Sequence, residues 1–178
     1  IWRTILFPTK ALRHYATAFL TLEKNMTDFT MTKDSEGIAT ITWDCPGKSM
    51  NLMNMEGMQL LNCLIDDALA DEDVKGIIIT SGKKDFAGGM DLNVLADMKA
   101  TSGDNPAQSV FDGIMMMHSA LRKIELAGMD FKTKKGGKPT ATVLPGTAMG
   151  IGLELPMSTH RVFATNDPKA KIGFPEIL

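Results

Sequence analysis

Twice in 178 residues the same event occurs: an apolar run stops, small residues carry the chain through a sharp turn, and a helical pattern begins. The first instance is "VKGIIITSG" leading into "DFAGGMDLNVL". The second is "PTATVL" leading through "PGTAMGIG" into "LELPM". Short continuous apolar runs of this kind read as strands covered on both faces. Strand, helix, strand, helix, strand is the rhythm of βαβ units around a largely parallel sheet.

The remaining segments fit that frame. "TDFTMTKD" and "GIATITWD" alternate apolar and polar residues around Gly37 and predict a β-hairpin. "CPGKSMN" is a loop, broken by Pro46 and Gly47. In "NMEGMQLLNCLIDDALADEDV" the apolar residues Met55, Met58, Leu61, Ile65 and Leu69 recur every three or four positions, giving one helical face. "LNVLADMKA" predicts a helix capped by Asp91, and "TSGDNP" a loop. "AQSVFDGIMMMHSALRKIELAG" is a long helix that brings Phe111, Ile114, His118, Leu121 and Glu125 together in projection. His118 reads as a packed or rim histidine rather than a catalyst. "MDFKTKKGGK" is a solvated basic loop, "HRVFAT" a strand, "NDPKAK" a turn and "IGFPEIL" a loop carrying a carboxylate.

The two glycine turns share one chemical possibility. Residues without a Cβ let a ligand approach the backbone, and a helix start leaves N–H donors unpaired. Two such donors aimed at one point stabilise a carbonyl oxygen that gains negative charge. Each turn alone has a plainer reading, a tight connection with no ligand. "GIGLEL" is not a dinucleotide fingerprint, because Leu155 stands where the third glycine belongs. Glu154 sits within the apolar run "GLELPM", where a buried carboxylate is costly without a task or partner. Glu176 follows Pro175 in the final loop.

Composition narrows the classes. Hydrophobic residues are 44% and charged residues 22%, with formal net charge −2, as in an ordinary globular chain and without the broad basic face that nucleic acid requires. No apolar stretch reaches the length of a membrane span. Cys45 and Cys63, the two cysteines, follow no metal-ligand or CxxC spacing and read as reduced thiols; no metal is expected. Fourteen methionines suit adaptable core packing. Residues 1–25 are basic and lack an acid before Glu23, so they read as translated upstream sequence before Met26 or as an organelle transit peptide, outside the fold in either case. The chain reads as a fragment open at both ends.

Together, "FAGGMDL", "GTAMGIGLEL", "IGFPEIL" and "GKSMN", in this order from about Met26 to Leu178, resemble the crotonase (enoyl-CoA hydratase/isomerase) family. The resemblance implies an α/β fold, a crotonase-like spiral of ββα units, here truncated at its C-terminal end, with residues 26–178 as an incomplete hydratase domain. It implies an acyl-CoA thioester as the substrate and no cofactor in this domain. It implies an oxyanion hole from the backbone N–H groups of Met90 and Ile151, with Gly88, Gly89 and Asp91 shaping the first turn and Gly150 and Gly152 the second. Gly88, Met90 and Leu92 would line the CoA path, with Ser49 and Met50 opposite.

The family's two hydratase acids match Glu154 and Glu176. Departures are Ile151 between two glycines, Pro145–Gly146 for Asn–Gly, and Pro156 inside the second helix. Within the family, "GMDFKTKKGGKP" and "NDPKAKIG" look like the hydratase part of multifunctional fatty-acid oxidation α-subunits. That likeness implies a following NAD-dependent 3-hydroxyacyl-CoA dehydrogenase part, an oligomer, a thiolase β-subunit as partner and a bacterial cytoplasmic location, or the mitochondrial matrix if residues 1–25 are a transit peptide. A non-hydrating acyl-CoA binder and a related CoA isomerase or thioester hydrolase are the alternatives.

Overall fold

The computed structural model describes residues 27–94 and 105–175. The expected leader, most of the helix after Asp91 and Glu176 lie outside the described residues.

The alternating residues do form the hairpin. Strands β1 (Phe29–Lys33) and β2 (Ile38–Trp43) pair antiparallel, Phe29 opposite Trp43. Gly37 closes the turn at φ 84°, and the Asp34 carboxylate accepts the Glu36 and Ile38 N–H groups. Helix α1 (Met55–Ala70) starts at Asn54, whose side chain accepts the Gly57 N–H at 2.6 Å. Its face of Met58, Leu61, Ile65 and Ala68 is buried.

Strand β3 (Gly76–Ser81) then pairs parallel with β2. Helix α2 (Pro106–Leu126) runs from an Asn105 cap to Ala127, which sits at φ 45°. It is followed by β4 (Thr140–Leu144), parallel to β3. Next come a two-residue strand β5 (Ala148–Met149), a seven-residue helix α3 (Ile151–Met157), β6 (Arg161–Ala164) and a two-residue strand β7 (Ile172–Gly173).

The main sheet has the order β1-β2-β3-β4-β6, and β5 pairs with β7 in a small second sheet. Trp43 is the centre of the core, stacked on Phe29 at 5.1 Å and edge-on to Phe86 at 5.8 Å. Cys45 is buried, and burial pushes its thiol pKa up; Cys63 is an exposed free thiol. Among the described residues no helix is long and apolar enough to cross a membrane.

Two expectations need correction. β3 is not covered on both faces. Ile77 and Ile79 are buried, but Ile78 lines an open groove of about 430 Å³ with Ile38, Ala141 and Phe163. Secondly, "IGFPEIL" and "PGTAMGIG" are not wholly loop and turn, because each contributes two residues to the β5–β7 pair.

Candidate active site

The two glycine turns meet. At the C-terminal end of β3 the chain folds back against residues 51–53. Gly88 N–H donates to the Asn51 carbonyl, Met53 N–H to the Gly89 carbonyl and Asp91 N–H to the Met53 carbonyl. On its other side the same segment joins the second turn: Ala87 N–H donates to the Thr147 carbonyl, and Met149 N–H to the Ala87 carbonyl. The closeness requires glycine at specific positions. A Cβ on Gly88 would lie 2.6 Å from the Met50 sulfur, and one on Gly152 would lie 2.6 Å from the Ala87 Cβ. Gly89 stands at φ 112° against the Met149 carbonyl, and Gly150, the cap of α3, at φ 53°.

In this double ladder the Met53 backbone bonds on either side of Met90, so the Met90 N–H is left over. It has no hydrogen-bond partner among the described residues. The same is true of the N–H of Ile151, first residue of α3, whereas Gly150 N–H is taken by the Gly173 carbonyl. The Ile151 side chain is buried as part of the hydrophobic core cluster, so it does not stand free over the turn.

Two side chains fix the arrangement, and sequence reasoning named neither. The Asn51 amide is fully buried. It donates to the carbonyls of Trp43 and Phe86 and to Ser81 Oγ, and it accepts the Cys45 N–H, at 2.9–3.0 Å throughout. Asp85 accepts the Thr147 N–H at 2.7 Å, joining one turn to the other.

That Thr147 N–H, with the Thr147 hydroxyl and Lys84 assisting, holds the Asp85 carboxyl below its ordinary value. A depressed folded-state pKa stabilises the fold above the ordinary carboxylate value and ceases to do so as pH falls through the folded value. Wild type should therefore lose more stability than Asp85→Asn on acidification below ~pH 4. Urea midpoints of both proteins against pH measure the difference, and parallel curves would refute this role for Asp85.

The remaining site residues sort by exposure. Met50, Gly88, Met90 and Asp91 are half-buried, while Ser49 and Leu92 are exposed. Lys48 pairs with Asp91 at 2.9 Å, across the mouth of the first turn. Glu154, on the first turn of α3, is exposed and not buried as its apolar neighbours led one to expect. Helical spacing explains this, since Ile151, Gly152 and Leu155 take the core side. Glu154 lies at an open cavity of about 400 Å³ that it shares with His118, Leu121, Glu125, His160 and Phe174. His118 is exposed at that cavity, as a rim histidine. Pro156 is buried inside α3, and the helix ends one residue later, with Ser158 N–H reaching the Glu154 carbonyl. β7 pairs with β5 and delivers Phe174 to the cavity, two residues before Glu176.

No family model matches the chain. Solved structures do. An enoyl-CoA hydratase from Thermoplasma volcanium is 27% identical with a TM-score of 0.67, over 85% of this chain and 52% of that one. Another from Geobacillus kaustophilus is 26% identical with a TM-score of 0.69, over 85% and 50%. With these likenesses and this topology, the chain has the crotonase fold and is similar to enoyl-CoA hydratases of that fold.

The chain is also similar to the fatty acid oxidation complex subunit alpha of Shewanella oneidensis, 29% identical over 150 residues. That match covers 84% of this chain and 19% of the relative, so the chain spans about half of the solved hydratases and a fifth of the curated relative.

Proposed function

We propose that this domain, residues 26–178, adds water to 2-enoyl-CoA thioesters to give 3-hydroxyacyl-CoA in fatty-acid β-oxidation. The observation that carries the reading is the joined pair of glycine turns. Among the described residues the N–H groups of Met90 and Ile151 have no hydrogen-bond partner, and Glu154 lies three residues after Ile151 on the same helix. A thioester carbonyl held between those two donors gains negative charge as water attacks the β-carbon, and preorganised donors stabilise that charge. One carboxylate accepts the proton of the attacking water, and the other delivers a proton to the α-carbon. Glu154 and Glu176 are assigned these tasks as a pair. Gly88, Gly89, Met90, Asp91 and Leu92 on one side and Ser49 and Met50 on the other form the CoA approach, closed by Gly150 and Gly152.

The chemistry needs no further cofactor here. Likeness to fatty-acid oxidation α-subunits extends the proposal to the whole protein: an oligomer of a hydratase joined to an NAD-dependent dehydrogenase part, acting with a thiolase β-subunit in a bacterial cytoplasm.

The test is hydration of crotonyl-CoA by the full-length protein, followed by loss of the conjugated enoyl absorbance. Turnover is the expected result. Tight acyl-CoA binding without turnover would make the domain a binder, and conversion of 3-enoyl-CoA alone would make it an isomerase.

A further inference from the structure

α3 carries two of the proposed groups, the Ile151 N–H at its first residue and Glu154 three residues on. Among the described residues the Glu154 carboxylate has no hydrogen-bond or ion-pair partner, so no side-chain contact fixes it and the helix backbone does. Yet α3 is seven residues long, too short to hold its shape in isolation. Pro156 weakens it further, because it offers no N–H to the Gly152 carbonyl one turn back. Ile151, Gly152, Leu155 and Pro156 give it a buried face. Apolar packing is non-directional, however, and the directional tie at the C-terminal end is a hydroxyl.

Thr159, two residues past α3, is buried, and so is Thr142 on β4. Thr159 Oγ1 lies 2.7 Å from the Pro156 carbonyl oxygen, 2.9 Å from the Arg161 carbonyl oxygen and 3.2 Å from Thr142 Oγ1. Each hydroxyl has one hydrogen, and carbonyls only accept. The Thr159 hydrogen therefore goes to a carbonyl, the nearer being that of Pro156. Between the two hydroxyls Thr142 is then the donor, and among the described residues its hydroxyl has no other partner. The Thr159 N–H adds a second bond to the Pro156 carbonyl at 3.0 Å.

The result is a relay from the sheet to the last turn of α3: Thr142 hydroxyl to Thr159 hydroxyl to Pro156 carbonyl. Among the described residues it is the only side-chain hydrogen-bond route from the main sheet to that helix. We infer that Thr159 is a positioning residue: its hydroxyl fixes α3 against β4, and with it the direction in which Glu154 and the Ile151 N–H point. The consequence for catalysis rests on the hydratase reading; the relay does not.

Three variants of the full-length protein test the inference. Thr159→Val keeps the branched shape but breaks the relay and strands the Thr142 hydroxyl in the interior. It should lower kcat for crotonyl-CoA by ~10-fold or more with KM within about threefold, since small displacements of a reacting group cost up to ~10²-fold in rate. Thr159→Ser keeps the hydroxyl and should hold kcat within about threefold of wild type. A loss confined to KM, or a serine variant as slow as valine, would overturn the inference.

The third variant combines Thr142→Val with Thr159→Val and separates positioning from stability. Removing both hydroxyls strands neither, so the urea midpoint should return toward wild type. The relay is still absent, so kcat should stay at the level of Thr159→Val. Recovery of kcat together with the midpoint would make Thr159 a structural residue only. Amide exchange gives a readout that needs no turnover. The Ser158 N–H, which donates to the Glu154 and Leu155 carbonyls at 3.1 Å, should exchange faster in both valine variants than in wild type. Unchanged exchange there would overturn the relay whatever the kinetics. If wild type hydrates no enoyl-CoA, the hydratase reading fails by itself, and exchange at Ser158 alone decides the role of Thr159.

Discussion

Glu154→Gln is expected to lower kcat for crotonyl-CoA by ~10²–10⁴-fold, the usual contribution of a positioned acid–base group, with acyl-CoA affinity nearly unchanged. Several features of the site support this. Gln has the shape of Glu and the same helical preference, and Glu154 is exposed at the cavity rather than built into the core. The substitution therefore removes a proton acceptor and little else. The backbone donors of Met90 and Ile151 are untouched, so the thioester should still bind. A loss in KM with kcat retained would assign Glu154 to binding. A variant within a fewfold of wild type in both would remove it from the mechanism. Glu176→Gln carries the same expectation, because adding water across a double bond needs an acid as well as a base.

The sequence was most informative where a local pattern matched a local cause. The hairpin around Gly37 and the α1 face of Met58, Leu61 and Ile65 follow from periodicities of two and 3.6 residues, and β3 and β4 from short continuous apolar runs. The glycine turns were legible from their place between apolar runs, while the packing of Gly88 against the Met50 side chain and of Gly152 against Ala87 was not. What failed to show was set over long sequence distances. β5 and β7 are two residues each, and no propensity marks them; they exist because Ala148 and Ile172 meet. Apolar content in "GIIIT" cannot say what covers each face, and Ile78 proves to face an open groove. The apolar neighbours of Glu154 hid its exposure until the helix phase was known. His160 reads as an ordinary residue before a strand, since both its ring partners, Thr140 and Glu125, lie 20 or more residues away.

Asn51→Leu should cost ~3–5 kcal/mol of stability, because each buried polar group stranded without a partner typically costs about 1–3 kcal/mol. Asn51 is fully buried, and four groups depend on its amide: the Cys45 N–H, the Trp43 and Phe86 carbonyls and the Ser81 hydroxyl. Leucine has the same branched shape, so the substitution leaves no cavity, and its bulkier methyl groups add overpacking strain to the polar loss. The hydroxyl can still donate to the Asp85 carbonyl, as it does at 2.7 Å, and the Trp43 carbonyl keeps the Gly82 N–H, but the Cys45 N–H and the Phe86 carbonyl are left without a partner among the described residues. Against the ~5–15 kcal/mol by which domains are usually stable, the loss is large.

The effect should also be directional. Asn51 pins residues 45–53 to the loop after β3, and its own carbonyl accepts the Gly88 N–H. Releasing it should loosen the ladder of Met53, Gly89 and Asp91 before the hairpin, so amide exchange at Met53 and Asp91 should rise more than at Ile41. Asn51→Asp keeps the acceptor for Cys45 but loses the donors and buries a charge, so it should be no better than Leu at neutral pH. Urea unfolding gives the stability and hydrogen exchange the pattern. A midpoint for Asn51→Leu equivalent to a loss of under ~1 kcal/mol would mean that the joined turns are held by their backbone ladders alone.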